Sequence, residues 1–240
     1  MKRYSFLLGI SLMISATMLM TACKKDDTTS AGGSEGSGDT TSFCWVDLGL
    51  PSGLLWANCN LGAQKPEDFG DHFAWGETST KEVYSWDTYI YGSSNYELTK
   101  YCGMPLYGLY DYSDSLTTLE AFDDAAVVNL GDGARMPTRE EWQELKDHTS
   151  SSWITRNGVK GCLLTASNGN SIFLPTAGTC EDSTQYYMGN YGSYWSSSVV
   201  TDAPCYAWYF NIYPYSSHNA IELGYRCYGL SVRAVRAGQN

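Results

Sequence analysis

From residue 43 onward the chain alternates short apolar runs with glycine-containing turns. Trp45 to Leu50 alternates in part, and the chain turns at Pro51-Ser52-Gly53. It resumes at Leu54 to Ala57, which predicts a β-hairpin. Strand patterns return beyond Ser152 and are expected at Gly161 to Ala166, Ser171 to Leu174, Tyr194 to Val200, Ala207 to Tyr213, Ile221 to Arg226 and Leu230 to Arg236.

Two helices are predicted between these strand regions. Thr118 to Leu130 has apolar residues at helical spacing, with Asp123-Asp124 expected to be solvated on it. The second helix follows Thr138, whose side chain and that of Glu141 form a capping box, and Trp142 lies on its apolar face. Strands, two helices and further strands, without alternating βαβ units, predict an α+β fold that is loop-rich, with a twisted and mostly antiparallel sheet.

The N-terminal apolar run, Leu7 to Met20, is shorter than the roughly 20 residues that a membrane span needs. It ends in Met20-Thr21-Ala22-Cys23, which resembles the lipobox of bacterial lipoproteins. The next residues, Lys24-Lys25-Asp26-Asp27, resemble the signal that sends lipoproteins of gut Gram-negative anaerobes to the outer leaflet of the outer membrane. The resemblance implies a signal peptide at 1–22, lipidation of Cys23 and a protein facing the cell exterior, with membrane contact through the anchor only.

The segment that follows is polar and rich in Gly, Ser and Thr. Such a composition cannot bury enough surface to offset its ordering entropy, so residues 23–41 are expected to be a lipidated, flexible tether. The rest of the chain, 42–240, fits one domain.

The charge of the chain excludes one class of partner. Its formal charge is −11, and removal of residues 1–22 takes away Lys2 and Arg3 and no acid, which leaves −13. Because no basic run remains, nucleic-acid binding is not expected. Nineteen Tyr and eight Trp residues make the chain aromatic-rich, which favours a surface that binds through rings.

Seven cysteines remain once Cys23 is lipidated. An odd number cannot pair fully within one chain, so they are either mostly buried thiols or include one or two disulfides. Their spacing contains no C-x-x-C, which gives a zinc site little support.

Several strings occur in a fixed order: Val46 to Ala57, Gly70 to Glu77, Arg135 to Thr138 with Glu141-Trp142, Phe173 to Gly178, Tyr194 to Ser198 and Gly229 to Arg233. Together they resemble the Fibrobacter-type major paralogous domain family, which has a C-type-lectin-like fold akin to that of the formylglycine-generating enzymes. The resemblance covers Phe43 to Arg236 and implies that both ends of the domain lie on one sheet. The expected framework consists of core tryptophans and left-handed glycines: Trp56, Trp75, Trp142, Trp195, Gly53, Gly70, Gly76, Gly178 and Gly229.

Catalytic constellations are not found in the sequence. There is no G-x-S-x-G, P-loop or Rossmann fingerprint, and the surroundings of Cys205 and Cys227 do not match the copper-binding motif of the oxidising relatives. The sugar-binding tripeptides of animal lectins are also missing. We therefore expect no enzyme activity and no cofactor, with a structural calcium ion at Asp71 and Glu77 as the alternative.

The region 206–228 is unusually rich in Tyr, Asn and Ser, which is the composition of an antibody-like paratope. By strand alternation, Phe210 should point inward, and Tyr209 and Asn211 outward. The region resembles the variable segment of proteins diversified by retroelements, since Tyr, Asn, Ser, His and Cys are reachable by changing adenines of an Asn codon; the alternative is plain packing. The expected ligand-binding residues are Tyr206, Trp208, Tyr209, Asn211, Tyr213, Tyr215, His218, Tyr225 and Tyr228.

These patterns predict a surface-exposed lipoprotein that binds a protein or glycan ligand through its aromatic C-terminal face. The alternatives are an extracellular polymer-acting enzyme of the formylglycine-generating type and a structural surface subunit.

Cys23→Ala should abolish lipidation, because acylation needs the thiol. Asp26→Ala/Asp27→Ala should leave the protein lipidated but facing the periplasm, because the charge pattern behind the cysteine directs export. Protease shaving of intact cells measures both outcomes, and a double-Asp variant that is still fully shaved would contradict the surface signal.

Overall fold

The computed structural model describes residues 43–131, 133–214 and 219–238. Strands, two α-helices and further strands follow one another in these ranges, and most strand pairs are antiparallel. The predicted α+β class is therefore confirmed. The expected signal peptide, Cys23, the tether, Tyr215 and His218 lie outside the described residues. Within the described ranges, no helix is long and apolar enough to cross a bilayer.

Each secondary-structure element in the described ranges is short, with strands of two to eight residues. The strands are β1 Trp45–Asp47, β2 Leu54–Ala57, β3 His72–Phe73, β4 Thr149–Arg156, β5 Val159–Ala166, β6 Ser171–Pro175, β7 Thr179–Glu181, β8 Thr184–Tyr186, β9 Gly192–Val199, β10 Tyr206–Ile212, β11 Ala220–Tyr225, β12 Leu230–Ser231 and β13 Val235–Ala237. The helices are α1 Ala125–Leu130, α2 Arg139–His148 and the 3₁₀ turns Trp86–Thr88, Pro105–Tyr107 and Leu109–Asp111.

The central sheet has five strands in the order β11-β10-β9-β12-β3. Only its β9–β12 contact is parallel among the described strands. A second sheet, β1-β2-β13, contains the predicted hairpin and joins the first and last described strands. Strands β4, β5 and β6 form a third sheet, and β7 and β8 form a two-stranded ribbon.

Helix α2 covers one face of the central sheet. The predicted capping box is confirmed: Thr138 Oγ1 accepts from the Glu141 backbone N–H at 3.3 Å, and Glu141 Oε2 accepts from the Thr138 N–H at 2.8 Å. Trp142 is fully buried and stacks on Phe210 of β10 with ring centroids 4.8 Å apart. Its indole N–H donates to the carbonyl of Trp195 at 3.2 Å, so the helix is attached to β9 and β10 together.

The first predicted helix is wrong in extent, because α1 begins only at Ala125. Asp124 is its N-cap and accepts from the Ala126 and Val127 N–H groups at 2.8 and 3.2 Å. A carboxylate that satisfies free backbone donors in this way starts a helix and does not continue one. The expectation that Asp123-Asp124 is solvated is also wrong, since each is 3% exposed.

The framework tryptophans are confirmed as core, since Trp56, Trp75, Trp142 and Trp195 are all fully buried. The glycine prediction is wrong at Gly229, where no left-handed backbone is found. A Cβ at Gly229 would lie 2.6 Å from a ring carbon of Tyr84. Glycine is therefore required at this position because the Tyr84 ring leaves no room for a side chain.

The cysteines match the buried-thiol alternative. Cys59, Cys102, Cys162, Cys205 and Cys227 are buried thiols without a disulfide. Cys180 is also a free thiol and is half-buried, and Cys44 is buried. Burial raises the pKa of the Cys59 thiol to about 11 and that of Cys227 to about 12, which keeps both thiols protonated and unreactive at neutral pH.

Trp142→Ala should lower the free energy of unfolding by about 3–5 kcal/mol, because it empties a fully buried site between α2 and the sheet. Chemical denaturation measures the change. Asp147→Ala, an exposed change on the same helix, should stay within about 0.5 kcal/mol. A loss below about 1 kcal/mol for Trp142→Ala would contradict its place in the core.

Candidate functional site

The predicted binding region forms the antiparallel hairpin β10–β11, but its residues do not share one face. Tyr206 pairs with Tyr225 and Trp208 with Leu223. The next pair, Tyr209 and Glu222, lies on the opposite face, because cross-strand partners share a face and successive residues alternate. The structure therefore divides the expected site into two sets.

The first set lies on the same face as Phe210 and packs against the body. Tyr206 and Tyr225 stack with ring centroids 4.5 Å apart, and Tyr225 also meets Trp86 edge-on at 6.1 Å. Trp208 is covered by the guanidinium of Arg139, 4.2 Å from its ring. All three predicted residues are half-buried, so at these positions the packing alternative describes the structure better than a free paratope.

The second set converges on one carboxylate that the sequence did not single out. The phenol of Tyr209 donates to Glu222 at 2.8 Å, the amide of Asn211 donates to it at 3.1 Å, and the phenol of Tyr213 donates to its other oxygen. We call these four residues the Glu222 network. Tyr209 lies on the opposite face from Phe210 as predicted, but its ring is half-buried and meets the fully buried Trp195 edge-on at 6.0 Å. The expectation that Asn211 reaches solvent is wrong, because it is 6% exposed.

The Glu222 network keeps its phenols protonated. Burial, together with the hydrogen bond and charge of Glu222, raises the pKa of Tyr213 to about 12. The pKa of Tyr209 is raised by the same causes, with burial the largest. Both rings therefore stay neutral at neutral pH and donate to Glu222, which orders them in one arrangement.

From Tyr213 a line of rings continues outward along the surface. Tyr213 meets Tyr191 at 5.3 Å, Tyr191 meets Tyr187 at 5.3 Å, and Tyr187 meets Tyr186 at 6.0 Å. We call Tyr186, Tyr187, Tyr191, Tyr213 and Tyr209 the tyrosine strip. Its outer end is solvent-accessible, since Tyr186 is 42% and Tyr187 is 55% exposed.

The outer part of the strip was missed by sequence reasoning. A signal existed, because residues 186–191 contain three tyrosines in six positions, a higher density than the six in 23 positions of the region 206–228. What the sequence does not show is that the turn after β8 lies beside the end of β10. That contact follows from the pairing of Gly192, the residue directly after this turn, with Ile212 at the end of β10.

This outer part is held by backbone contacts. The Gly178 N–H donates to the carbonyl of Tyr191 at 2.9 Å, and the Gly189 N–H donates to that of Thr176 at 2.9 Å. Gly178 has φ +71°, and any side chain there would collide with the Tyr186 carbonyl. Tyr187 itself has φ +59°, a strained value for a residue with a side chain. Holding the Tyr187 ring in this position therefore costs conformational free energy.

Tyr228 follows β11 and meets Tyr225 edge-on, with ring centroids 5.6 Å apart. It packs against the same core cluster as Tyr209 and is half-buried, and its phenol is hydrogen-bonded to Glu181. Burial raises the pKa of Glu181, and the neighbouring Asp182 adds to the shift. Of the expected ligand-binding residues, the structure thus brings Tyr209, Asn211 and Tyr213 together around Glu222, whereas Tyr228 contacts Tyr225 of the first set.

The two carboxylates considered for calcium have different surroundings. Glu77 is 7% exposed and accepts from the Lys81 ammonium at 2.9 Å and from the Ile90 N–H at 3.0 Å, while Asp71 is exposed. Among the described residues, no group of three or more His, Cys, Asp or Glu side chains is arranged to hold a metal ion.

Comparisons with protein-family models, curated proteins and solved structures found no match to this chain. The functional conclusions therefore depend on the residues and contacts described above.

Glu222→Gln should lower the pKa of Tyr213 from about 12 toward 10.0, because the amide still accepts a hydrogen bond but carries no charge. The difference in phenolate absorbance between the two proteins, followed against pH, measures the shift. Glu140→Gln, an exposed change on α2, should leave the titration unchanged.

The free energy of unfolding should change with pH as the Tyr213 phenol titrates. A phenol whose pKa is raised on folding stabilises the fold fully below pH 10.0, and this contribution is lost as the pH rises to about 12. The wild type should therefore lose more unfolding free energy across this window than Glu222→Gln does. Equal losses in both proteins would show that Glu222 does not act on Tyr213.

Proposed function

We propose that this protein is a non-catalytic binding module, displayed on the outer membrane as a lipoprotein, that contacts a protein or glycan ligand through the tyrosine strip. The observation that carries the proposal is the set of ordered, partly exposed rings running from the Glu222 network to Tyr187. Tyrosine offers a large contact area with only two rotatable bonds, so rings held in advance lose little entropy on binding. The lipobox-like Cys23 supports display at the surface.

The chain organisation supports a C-type-lectin-like fold for this module. Two helices, mostly antiparallel sheets and a sheet shared by β1 and β13 agree with what the sequence resemblance implies. The buried tryptophans and the fully buried Arg233 belong to the strings that carry that resemblance. Diversification by a retroelement belongs to the same proposal, and a reverse transcriptase gene with a near-copy of the 206–228 coding region beside this gene would support it.

The oxidase alternative receives no support from the two cysteines it would use. Cys205 packs with Leu98 and Cys102, whereas Cys227 packs with Ala74, Tyr84 and Tyr89 in a different cluster. Burial raises the pKa of both thiols. A copper-binding or nucleophilic pair would need adjacent sulfurs with lowered pKa values.

Tyr186→Ser/Tyr187→Ser should abolish ligand binding and leave the fold intact, because both rings are exposed. Exposed changes shift stability by about 0.5 kcal/mol or less each, while a ring at an interface centre often contributes about 2 kcal/mol. Cells displaying the full-length protein would be tested on a glycan array and on a panel of purified surface proteins.

Tyr110→Ser is the matched control, since this ring is 94% exposed and lies outside the strip. It should bind every ligand that the wild type binds. If the strip variant also keeps all ligands while remaining folded, the tyrosine strip is not the contact surface.

A further inference from the structure

The tyrosine strip carries negative charge along its inner half. The Tyr209 phenol donates to the Glu222 carboxylate at 2.8 Å, and the negative charge of Glu181 helps to raise the pKa of this phenol. Asp182 is exposed beside Glu181. Glu222 is hydrogen-bonded to this half-buried ring and Glu181 acts on it electrostatically, which makes this surface acidic as well as aromatic.

The ion pairs between described residues lie elsewhere. They join Lys81 to Glu77, Lys100 to Glu120 and Asp123, Arg135 to Glu141, and Arg156 to Glu67. The charge of Lys81 acts to lower the pKa of Cys227. The Lys81 ammonium is already bound, because it donates to Glu77 at 2.9 Å and to the Thr88 carbonyl at 3.1 Å. Glu222 is satisfied by neutral donors, namely two phenols and an amide.

We propose that the partner of the tyrosine strip is a protein segment bearing Lys or Arg side chains, with the cations seated on the exposed tyrosine rings and against Glu181 and Glu222. This inference rests on the proposed function, because it uses the same surface. Its basis is charge complementarity between the acidic strip and the side chains that would cover it.

The chemistry of the strip favours a cation over a neutral ligand. A neutral sugar seated on these rings would shield the carboxylates from water without supplying an opposite charge. A guanidinium or ammonium group gains attraction from both the ring faces and the carboxylates. The formal charge of −11 would further speed the approach of a basic partner.

The test uses full-length protein and peptides of Arg-Gly-Ser repeats, with calorimetry as the readout. A second peptide replaces each arginine with citrulline, which keeps the shape and removes the charge. The variant Glu181→Gln/Glu222→Gln removes two charges from the strip. Its control, Glu140→Gln/Asp147→Asn, removes two charges from α2, on the other side of the central sheet.

The strip variant should bind the arginine peptide at least about tenfold more weakly, the control within about twofold of wild type, and the citrulline peptide should not bind to any of the three proteins. Added salt should weaken the wild-type complex. Near-ultraviolet circular dichroism checks that each variant is folded. Tyr186→Ser/Tyr187→Ser, which retains the carboxylates, should also weaken binding of the arginine peptide.

Three results would overturn the inference: no binding of the arginine peptide to wild type, equal weakening in strip and control variants, or equal binding of the citrulline peptide. The two proposals fail differently. If Glu181→Gln/Glu222→Gln keeps the ligands that Tyr186→Ser/Tyr187→Ser loses, the strip is a binding surface and the cationic partner is wrong. If neither variant loses any ligand, the proposed function itself is wrong.

Discussion

Two buried guanidinium groups hold together a chain that has little regular structure of its own. Arg233 is fully buried and donates to the Asn60 side chain at 3.0 and 2.5 Å and to the carbonyls of Ala57 and Phe173 at 3.0 Å. It thereby joins the end of β2, the loop after it and β6. All of these acceptors are neutral, so the guanidinium is held by the dipoles of carbonyl and amide groups. Removing any one of them would leave part of a buried cation unpaired.

Arg226 does the same for the long segment between β3 and α1. It follows β11 directly and donates to the Tyr89 phenol at 2.9 Å and to the carbonyls of Lys100 and Pro204 at 3.0 Å. Its guanidinium lies 4.8 Å from the Trp75 ring. The irregular segment is therefore attached at the end of the hairpin that carries the Glu222 network, which couples the order of the site to the order of the loops.

How much the sequence predicts depends on how far apart the interacting groups lie in the chain. Thr138 and Glu141 are three residues apart, so α2 could be predicted from its capping box. Asp124 caps α1 but also accepts from the Met136 N–H at 2.8 Å, a contact that only the folded chain creates. Glu222 was missed because its place opposite Tyr209 is set by the register of β10 and β11, which sequence composition does not determine.

The split of the β10–β11 hairpin into two faces limits how its sequence can change. Residues 206, 208 and 225 support packing, whereas 209, 213 and 222 form the ordered side that leads to the exposed rings. Sequence change in this hairpin is therefore constrained at every second position. A population of variants would keep one face of the hairpin nearly constant and vary on the other, which gives each strand a two-residue period in its tolerance of substitution.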